Sequence, residues 1–127
     1  MPIRIRVDPA ARIRHAVLEG AVDDDALVDA YAAVLNDPDF DPTLNDLVDA
    51  SGVRRVDVTP AGVRRLADLV KQIDRLLLPT KVAVVADDDA AYEAARMYEA
   101  MRIEQKAPAQ HRIFRNLAEA RKWLGVE

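Results

Sequence analysis

The chain has 127 residues and a net charge of −4 at pH 7; 50% of its residues are hydrophobic and 31% are charged. The length predicts a single domain over residues 1–127, and the acidic balance argues against nucleic acid as a partner, because phosphate binding needs a basic surface. The absence of cysteine excludes disulfides and thiolate metal sites, and no apolar run approaches the roughly 20 residues of a membrane span. The N-terminal residues also lack the apolar run of a signal peptide, so we expect a cytoplasmic protein.

The first two predicted elements are strands that form an antiparallel hairpin. Ile3, Ile5 and Val7 alternate with arginines, which is the period-2 pattern of a half-buried strand, and a second strand covers residues 12–19. The arginines are expected to project together from the face opposite the apolar residues; they are Arg4, Arg6, Arg12 and Arg14. Such a patch would attract an acidic partner or anionic lipid, and the alternative is a solvated sheet edge that resists aggregation.

A helix and the central strand follow the hairpin. The aspartates at residues 23–25 begin this helix, which is predicted to run to about Asn36, because acidic side chains cap free N–H groups and favour the positive end of the helix dipole. Two prolines in residues 37–42 prevent it from continuing. The next strand is expected to end at Asp49, and in open α/β sheets the C-terminal ends of strands are where functional groups usually lie.

The second predicted helix begins at Thr59, which is expected to be its N-cap, with Pro60 at the first helical position. Apolar residues recur at three- and four-residue spacing through residues 63–77 and predict one buried stripe. Leu69 and Leu76 lie off this stripe and are expected to share one exposed line on the helix. Two interpretations are open for them: packing against a neighbouring helix, and contact between two copies of the chain in a homodimer.

The rest of the chain alternates strands and helices. Residues 81–86 are a nearly continuous apolar run, as expected of an interior parallel strand; a helix follows from residues 87–89 to about Gln105, then a strand at residues 111–114 and a helix capped by Asn116. The predicted order is β-β-α-β-α-β-α-β-α with right-handed crossovers. We therefore expect an α/β fold: a five-stranded mixed sheet with an N-terminal hairpin and four helices mainly on one face.

No catalytic group, metal site or cofactor is predicted. The aspartate triplets at residues 23–25 and 87–89 have the oxygen ligands that Mg²⁺ or Ca²⁺ prefers, but three consecutive side chains diverge, and helix capping explains both. His15 and His111 fall in strands without a serine partner or second metal ligand nearby in the sequence, which indicates structural histidines.

Asp49 invites comparison with a phosphate-accepting aspartate. That chemistry needs a lysine at the C-terminal end of a later strand, whereas Lys81 begins its strand and therefore lies at the opposite edge of the sheet. We expect instead that Asp49 accepts hydrogen bonds from N–H groups at Ser51 or Gly52, in an Asx-type arrangement.

Residues 47–59, LVDASGVRRVDVT, resemble a known family. Sulphate-transporter and anti-sigma-factor-antagonist domains, the STAS or SpoIIAA-like family, have a strand ending in Asp, a Ser-Gly-hydrophobic loop, and then hydrophobic-Asp-Ser-Ser-Gly at the start of a helix. The strand at residues 82–85 and the Trp-Leu pair of the last helix are most similar to the short single-domain bacterial branch labelled STAS/SEC14-like. The resemblance implies a SpoIIAA-like β/α superhelix.

The resemblance also implies a regulatory loop that meets a partner, with candidate residues Asp49, Ser51, Asp57, Val58 and Thr59. The phosphorylatable serine of the family follows the second aspartate, where this chain has Val58, so a phosphorylation cycle is not carried over. The resemblance implies a non-catalytic regulatory or protein-interaction module that binds another protein or a second copy of the chain. The alternative is a small carrier or sensor of an apolar ligand or lipid, because the SEC14-like relatives build this scaffold around a lipid pocket. An apolar cavity would favour the carrier, and a flat apolar patch on the second helix would favour the interaction module.

Overall fold

The computed structural model describes residues 2–76 and 79–126. Its strands are β1 (Ile3–Asp8), β2 (Ile13–Asp23), β3 (Asn45–Asp57), β4 (Lys81–Val85) and β5 (Gln110–Phe114). Its helices are α1 (Asp24–Leu35), α2 (Pro60–Lys71), α3 (Asp89–Glu104) and α4 (Leu117–Leu124), and a 3₁₀ turn at Asp74–Leu76 follows α2. The predicted order of strands and helices is confirmed.

The five strands form one mixed sheet in the order β1-β2-β3-β4-β5. β1 is antiparallel to β2, and the strands from β2 to β5 run parallel to one another. The hairpin therefore lies at one edge of the sheet, and each later strand is reached through a helix. This arrangement confirms the predicted α/β fold with an N-terminal hairpin.

The helices divide unequally between the two faces of the sheet. Helices α1, α2 and α3 lie side by side, α1 against α2 and α2 against α3, over the face that we call the three-helix face. Helix α4 packs alone on β3, β4 and β5 from the other side, which we call the α4 face. The prediction that the helices lie mainly on one face is confirmed. Among the described residues no helix is both long and apolar enough to cross a membrane.

The helix starts follow from local capping, as predicted. Asp23 accepts a hydrogen bond from the backbone N–H of Ala26 at the start of α1, and Thr59 accepts one from Gly62 at the start of α2. Asp88 caps α3 and Asn116 caps α4 in the same way. The side-chain oxygens thus occupy N–H groups that have no partner inside the helix, which is why these helices begin at these residues.

Two strands are longer than predicted. β2 does not end at Gly20 but passes through it to Asp23, and β3 continues beyond Asp49 to Asp57. The pairing of β2 with β3 tolerates two register shifts, and Gly20 adopts a φ of 69° beside one of them, a backbone conformation that glycine adopts without a steric penalty. Asp49 therefore lies within a strand, not at a strand end.

The predicted exposed line of leucines on the second helix is wrong. α2 ends at Lys71, and Leu76 lies in the 3₁₀ turn that follows, where it is 54% exposed. Leu69 is half-buried on α2. Because the backbone changes from α to 3₁₀ geometry between them, the seven-residue spacing no longer places the two side chains on one line. Leu77, the predicted end of the buried stripe, lies outside the described residues.

The predicted patch of four exposed arginines is also wrong. Arg4 and Arg6 are exposed on the α4 face, whereas Arg14 is 7% exposed and projects from the three-helix face, where β3 offers it the carboxylate of Asp46. Arg12 lies in the turn between β1 and β2, with a φ of 55°. The alternation within each strand is as predicted, but the pairing register decides which residues of two strands share a face.

Candidate functional site

A partly enclosed cavity of about 170 Å³ lies between the three-helix face and the helices that cover it. Its lining is mostly apolar: the strands contribute Val48, Val82 and Val84, and the helices contribute Leu27, Val70 and Ala95, among others. Engineered apolar cavities of about 150 Å³ bind benzene, so this space is large enough for a ring-sized apolar molecule.

Helix α1 shows why the space is there. None of its residues is fully buried, although Leu27, Tyr31 and Leu35 point towards the sheet and line the cavity. An amphipathic helix that packs closely on a sheet normally buries its apolar stripe. The apolar side of α1 therefore borders the cavity instead of being in full contact with the strands.

One end of the cavity is polar. The register of the parallel strands aligns Arg14, Asp46, Val82 and His111 in one row across the three-helix face, near the N-terminal ends of β2 to β5. Arg14 donates from Nε to Oδ1 of Asp46 at 2.8 Å and from Nη2 to Oδ2 at 3.2 Å. Its Nη1 donates to the carbonyl oxygen of Asp41 at 3.1 Å, so the guanidinium and the carboxylate neutralise each other inside the protein.

A second internal ion pair lies beside this row. Arg102 of α3 is 1% exposed, and its guanidinium donates to both carboxylate oxygens of Asp74 in the 3₁₀ turn and to Gln105 Oε1 at 2.9 Å. Gln105 in turn donates to Asp68 of α2 at 2.9 Å. These bonds connect α3 to α2 and to the turn. The Nε of Arg102 is buried and has no hydrogen-bond partner among the described residues.

Three further polar side chains line the same part of the cavity: Tyr31, Tyr98 and His111. The rings of Tyr98 and His111 meet edge to face, with centroids 5.6 Å apart. Burial raises the pKa of both tyrosines above the ordinary value. Burial, and secondarily the charge of Arg102, lowers the pKa of His111 to about 4, so this histidine is neutral at pH 7.

The two tyrosine hydroxyls are available for hydrogen bonding. Neither forms a hydrogen bond with any described residue. Both side chains are half-buried, and both line the cavity. The interior of the cavity therefore presents free hydrogen-bonding groups at one end and apolar walls elsewhere.

The sequence did not indicate this site. His111 was expected to be structural, Arg14 was expected on an exposed patch, and Tyr98 was not among the predicted site residues. The three meet at the cavity only because the strand register and the position of α3 bring together residues that are distant in the chain. A buried Arg–Asp pair across two strands has no local sequence signal, since arginine and aspartate are ordinarily surface residues.

The predicted partner loop is divided by the structure. Ser51 donates to Asp49 Oδ1 from its backbone N at 3.0 Å and from Oγ at 2.6 Å, which confirms the Asx-type prediction. Asp57, however, lies eight residues further along the same extended strand, a span of roughly 25 Å, and pairs with Arg55. Val58 lines the cavity. The predicted loop residues consequently do not converge on one surface site.

Thr59 links α1 to α2. Its backbone N donates to Oδ1 of Asp24 at 2.8 Å and its hydroxyl donates to Oδ2 at 2.6 Å, while the same hydroxyl accepts from the N–H of Gly62 at 3.1 Å. These bonds from Thr59 lower the pKa of Asp24 below its ordinary value. A Cβ on Gly62 would lie 2.0 Å from Cγ of Asp24, so the backbone of α2 approaches this carboxylate as closely as glycine permits.

The side chains of four other aspartates of the two triplets also have protein partners. Asp23 and Asp88 cap helices, as predicted. Asp25 forms an ion pair with Arg65, and Asp89 with Arg115. The described part of the chain contains no group of three or more His, Asp or Glu side chains arranged to hold a metal ion.

The comparisons with known proteins concern the fold. No known family profile and no curated protein matches the chain. Among solved structures it is similar to an uncharacterized protein of the DUF3478 family from Shewanella loihica PV-4, with a TM-score of 0.56 over 96% of this chain and 91% of that one, at 14% sequence identity. That protein has a SpoIIAA-like fold. The resemblance in residues 47–59 and the sheet topology thus lead to the same result: this chain has a SpoIIAA-like fold, compatible with a STAS-like module.

Proposed function

We propose that residues 1–127 form one non-catalytic binding module that holds a small apolar molecule in the cavity beneath α1, α2 and α3. The observation that carries this proposal is the cavity itself, about 170 Å³ in volume and lined mainly by apolar side chains with a few polar groups at one end. Small-molecule sites in proteins have this composition. The cavity favours the carrier or sensor over a module that acts only through its surface.

The polar end of the cavity supports binding without chemistry. Its two arginines are held by carboxylates, and its histidine is neutral at pH 7. Nucleophilic catalysis needs a hydroxyl that is hydrogen-bonded to a base. No hydroxyl among the described lining residues has such a bond. These groups can orient a ligand by hydrogen bonding.

Helix α1 supports a regulatory role for such a ligand. Because α1 has no fully buried residue, a molecule in the cavity would add apolar contacts to Leu27 and Leu35 that the protein alone does not supply. A ligand that binds the folded state stabilises it. When the cavity is occupied, α1 would therefore be held more firmly against the sheet. The surface of this helix would then report occupancy to a partner.

The proposal is tested by filling the cavity. Ala95 lines it from α3, and Ala100 is an exposed residue of the same helix, so Ala95→Leu and Ala100→Leu add the same atoms inside and outside the cavity. Titration with toluene, followed by ¹H–¹⁵N NMR shifts, should show saturable changes at cavity residues in the wild type and in Ala100→Leu. Ala95→Leu should lose them. Equal behaviour of the two variants would contradict the proposal.

A second candidate function, association with another protein or with a second copy of the chain, has one supporting observation. Leu76 is 54% exposed and Ile103 is 68% exposed. Leu76 comes two residues after Asp74 and Ile103 directly follows Arg102, the two residues whose ion pair joins α3 to the 3₁₀ turn. Large apolar side chains that are exposed at the surface are candidates for a contact surface. Sedimentation should then show a dimer, and Leu76→Glu should dissociate it. Leu69→Glu changes a half-buried residue of α2 and should dissociate the dimer less than Leu76→Glu does. A monomer at micromolar concentration would remove this candidate.

A further inference from the structure

We propose that the cavity selects molecules with a ring-sized apolar body and one neutral hydrogen-bonding head, such as a hydroxyl or a carbonyl, and that it rejects carboxylates. The head group lies between Tyr31, Tyr98 and His111. This inference rests on the proposed function and specifies the chemical class of the ligand.

The first step concerns the free hydroxyls. Tyr31 and Tyr98 line the cavity, and neither hydroxyl has a hydrogen-bond partner among the described residues. A ligand that displaces water from the cavity leaves these hydroxyls without a hydrogen-bond partner, which is unfavourable. A ligand head that donates to one hydroxyl or accepts from it restores a bond, and a purely apolar ligand does not.

The second step concerns charge. Arg14 and Arg102 are the cations that border the polar end, and each holds a carboxylate with two hydrogen bonds, Asp46 and Asp74 respectively. The two pairs sum to zero charge. A ligand carboxylate would compete with an aspartate that is already in place and would leave one negative charge inside the protein without a partner, which is strongly unfavourable.

His111 points to the same class of ligand. Burial keeps its ring neutral at pH 7, and the ring meets that of Tyr98 edge to face. A neutral imidazole that donates from one nitrogen has an acceptor at the other. The histidine therefore adds a hydrogen-bonding group, without a charge that would attract an anion.

The size of the cavity limits the apolar body. At about 170 Å³ the cavity is close to the roughly 150 Å³ that holds benzene in engineered proteins, and well below the 300 Å³ or more of typical pockets for larger ligands. Toluene, benzyl alcohol and benzoate share one ring and differ in the group attached to it. They are therefore matched probes for an apolar, a neutral polar and an anionic head.

The experiment measures the affinity of these three probes for the full chain at pH 7 by NMR titration. Benzyl alcohol should bind about threefold to tenfold more tightly than toluene, the effect of one net hydrogen bond. Benzoate should bind at least about tenfold more weakly than benzyl alcohol. In Tyr31→Phe with Tyr98→Phe, the preference for benzyl alcohol over toluene should decrease, because only His111 remains to bond the head group, while the affinity for toluene is retained.

Tyr92→Phe is the control variant, because Tyr92 lies on α3 outside the cavity lining, beneath the guanidinium of Arg115. It should leave the affinities of all three probes unchanged. If no probe binds the wild type, the proposed function itself fails. If toluene binds as tightly as benzyl alcohol, or benzoate binds more tightly than either, the cavity is a ligand site but the selection for a neutral head is overturned. The wild-type comparison decides this even if the double variant does not fold.

Discussion

The two faces of the sheet differ in how well they are covered, although they belong to the same strands. On β4, Val85 is 1% exposed on the α4 face, whereas its neighbour Val84 is half-buried on the three-helix face. On β3, Leu47 is 0% exposed and its neighbour Val48 is half-buried. On these two strands the single helix α4 thus covers its face more completely than the three helices cover theirs.

The difference follows from what joins each helix to the sheet. α4 contributes Ala120 and Leu124 to a closely packed core, and Trp123 closes it against the ring of Phe114 at a centroid distance of 5.7 Å. On the other face, polar contacts at the ends of α1, α2 and α3 fix their positions: the Arg102–Asp74 pair at one side and the Asp24–Thr59 hydrogen bonds at the other. The three-helix face also has a packed apolar core, which includes Ala16, Leu18 and Ala50, but the cavity interrupts its contact with the helices.

The largest effect should come from removing one member of the buried ion pair. Asp74→Ala leaves the Arg102 guanidinium buried without its carboxylate, and we expect the free energy of unfolding to fall by about 3 kcal/mol or more. Urea denaturation measures this. The double variant Asp74→Ala with Arg102→Met removes both charges and should recover much of the loss. If Asp74→Ala costs less than about 1 kcal/mol, polar contacts do not hold the three-helix face together.

The pH dependence of stability should reveal the second effect. The folded-state pKa of His111 is about 4 against an ordinary value of 6.5, so between these values the unfolded chain binds a proton that the folded protein does not. Stability should therefore fall as the pH drops from 6.5 towards 4, by about 3 kcal/mol from this residue. The free energy of unfolding of His111→Gln, measured in parallel with that of the wild type, should fall less over this pH range. Identical slopes would show that the polar end of the cavity is open to water.

A matched pair of substitutions on β4 compares the two faces directly. Val85→Ala should cost about 2 kcal/mol, because it removes two buried carbons and leaves a new space in a closely packed core. Val84→Ala should cost about 1 kcal/mol or less, since this side chain already borders the cavity. Equal losses in thermal or urea unfolding would mean that the two faces are packed alike.

The smallest difference is expected between two helix caps. Asn116→Ala removes only the cap of α4 and should cost about 1 kcal/mol. Thr59→Ala removes the cap of α2 and also the hydroxyl bond to Asp24, so its cost should be somewhat larger. Thr59→Ser should be close to wild type, while Thr59→Asp should be unfavourable because it places a second carboxylate against Asp24. A smaller loss for Thr59→Ala than for Asn116→Ala would show that the α1–α2 contact contributes nothing.

What the sequence predicted well depends on short-range patterns. The order of strands and helices follows from hydrophobic periodicity, and the starts of α2 and α4 follow from Thr59 and Asn116, because capping involves residues three positions apart. The Asx-type bond at Asp49 is local in the same way. These features need no knowledge of which strands are neighbours.

What the sequence did not predict depends on long-range geometry. Arg14 was assigned to an exposed patch because its partner, Asp46, comes from a strand whose register cannot be read from the chain. Gly52 suggested a loop, but β2 and β3 remain paired through their bulges. Val84 and Val85 are the same residue type in the same strand, so composition could not show that one borders a cavity and the other lies in a packed core.

The close approach of Gly62 to Asp24 has a consequence for how this protein tolerates sequence change. Glycine inside a helix is ordinarily less favourable than alanine by about 1 kcal/mol, so an alanine at this position would normally be an improvement. Here the added methyl carbon would overlap the Asp24 carboxylate, which makes the same change harmful. Asp24→Ala removes the three atoms nearest to that carbon, so Gly62→Ala should be less harmful in this variant than in the wild type. The effect of a mutation in α2 therefore depends on a residue in α1.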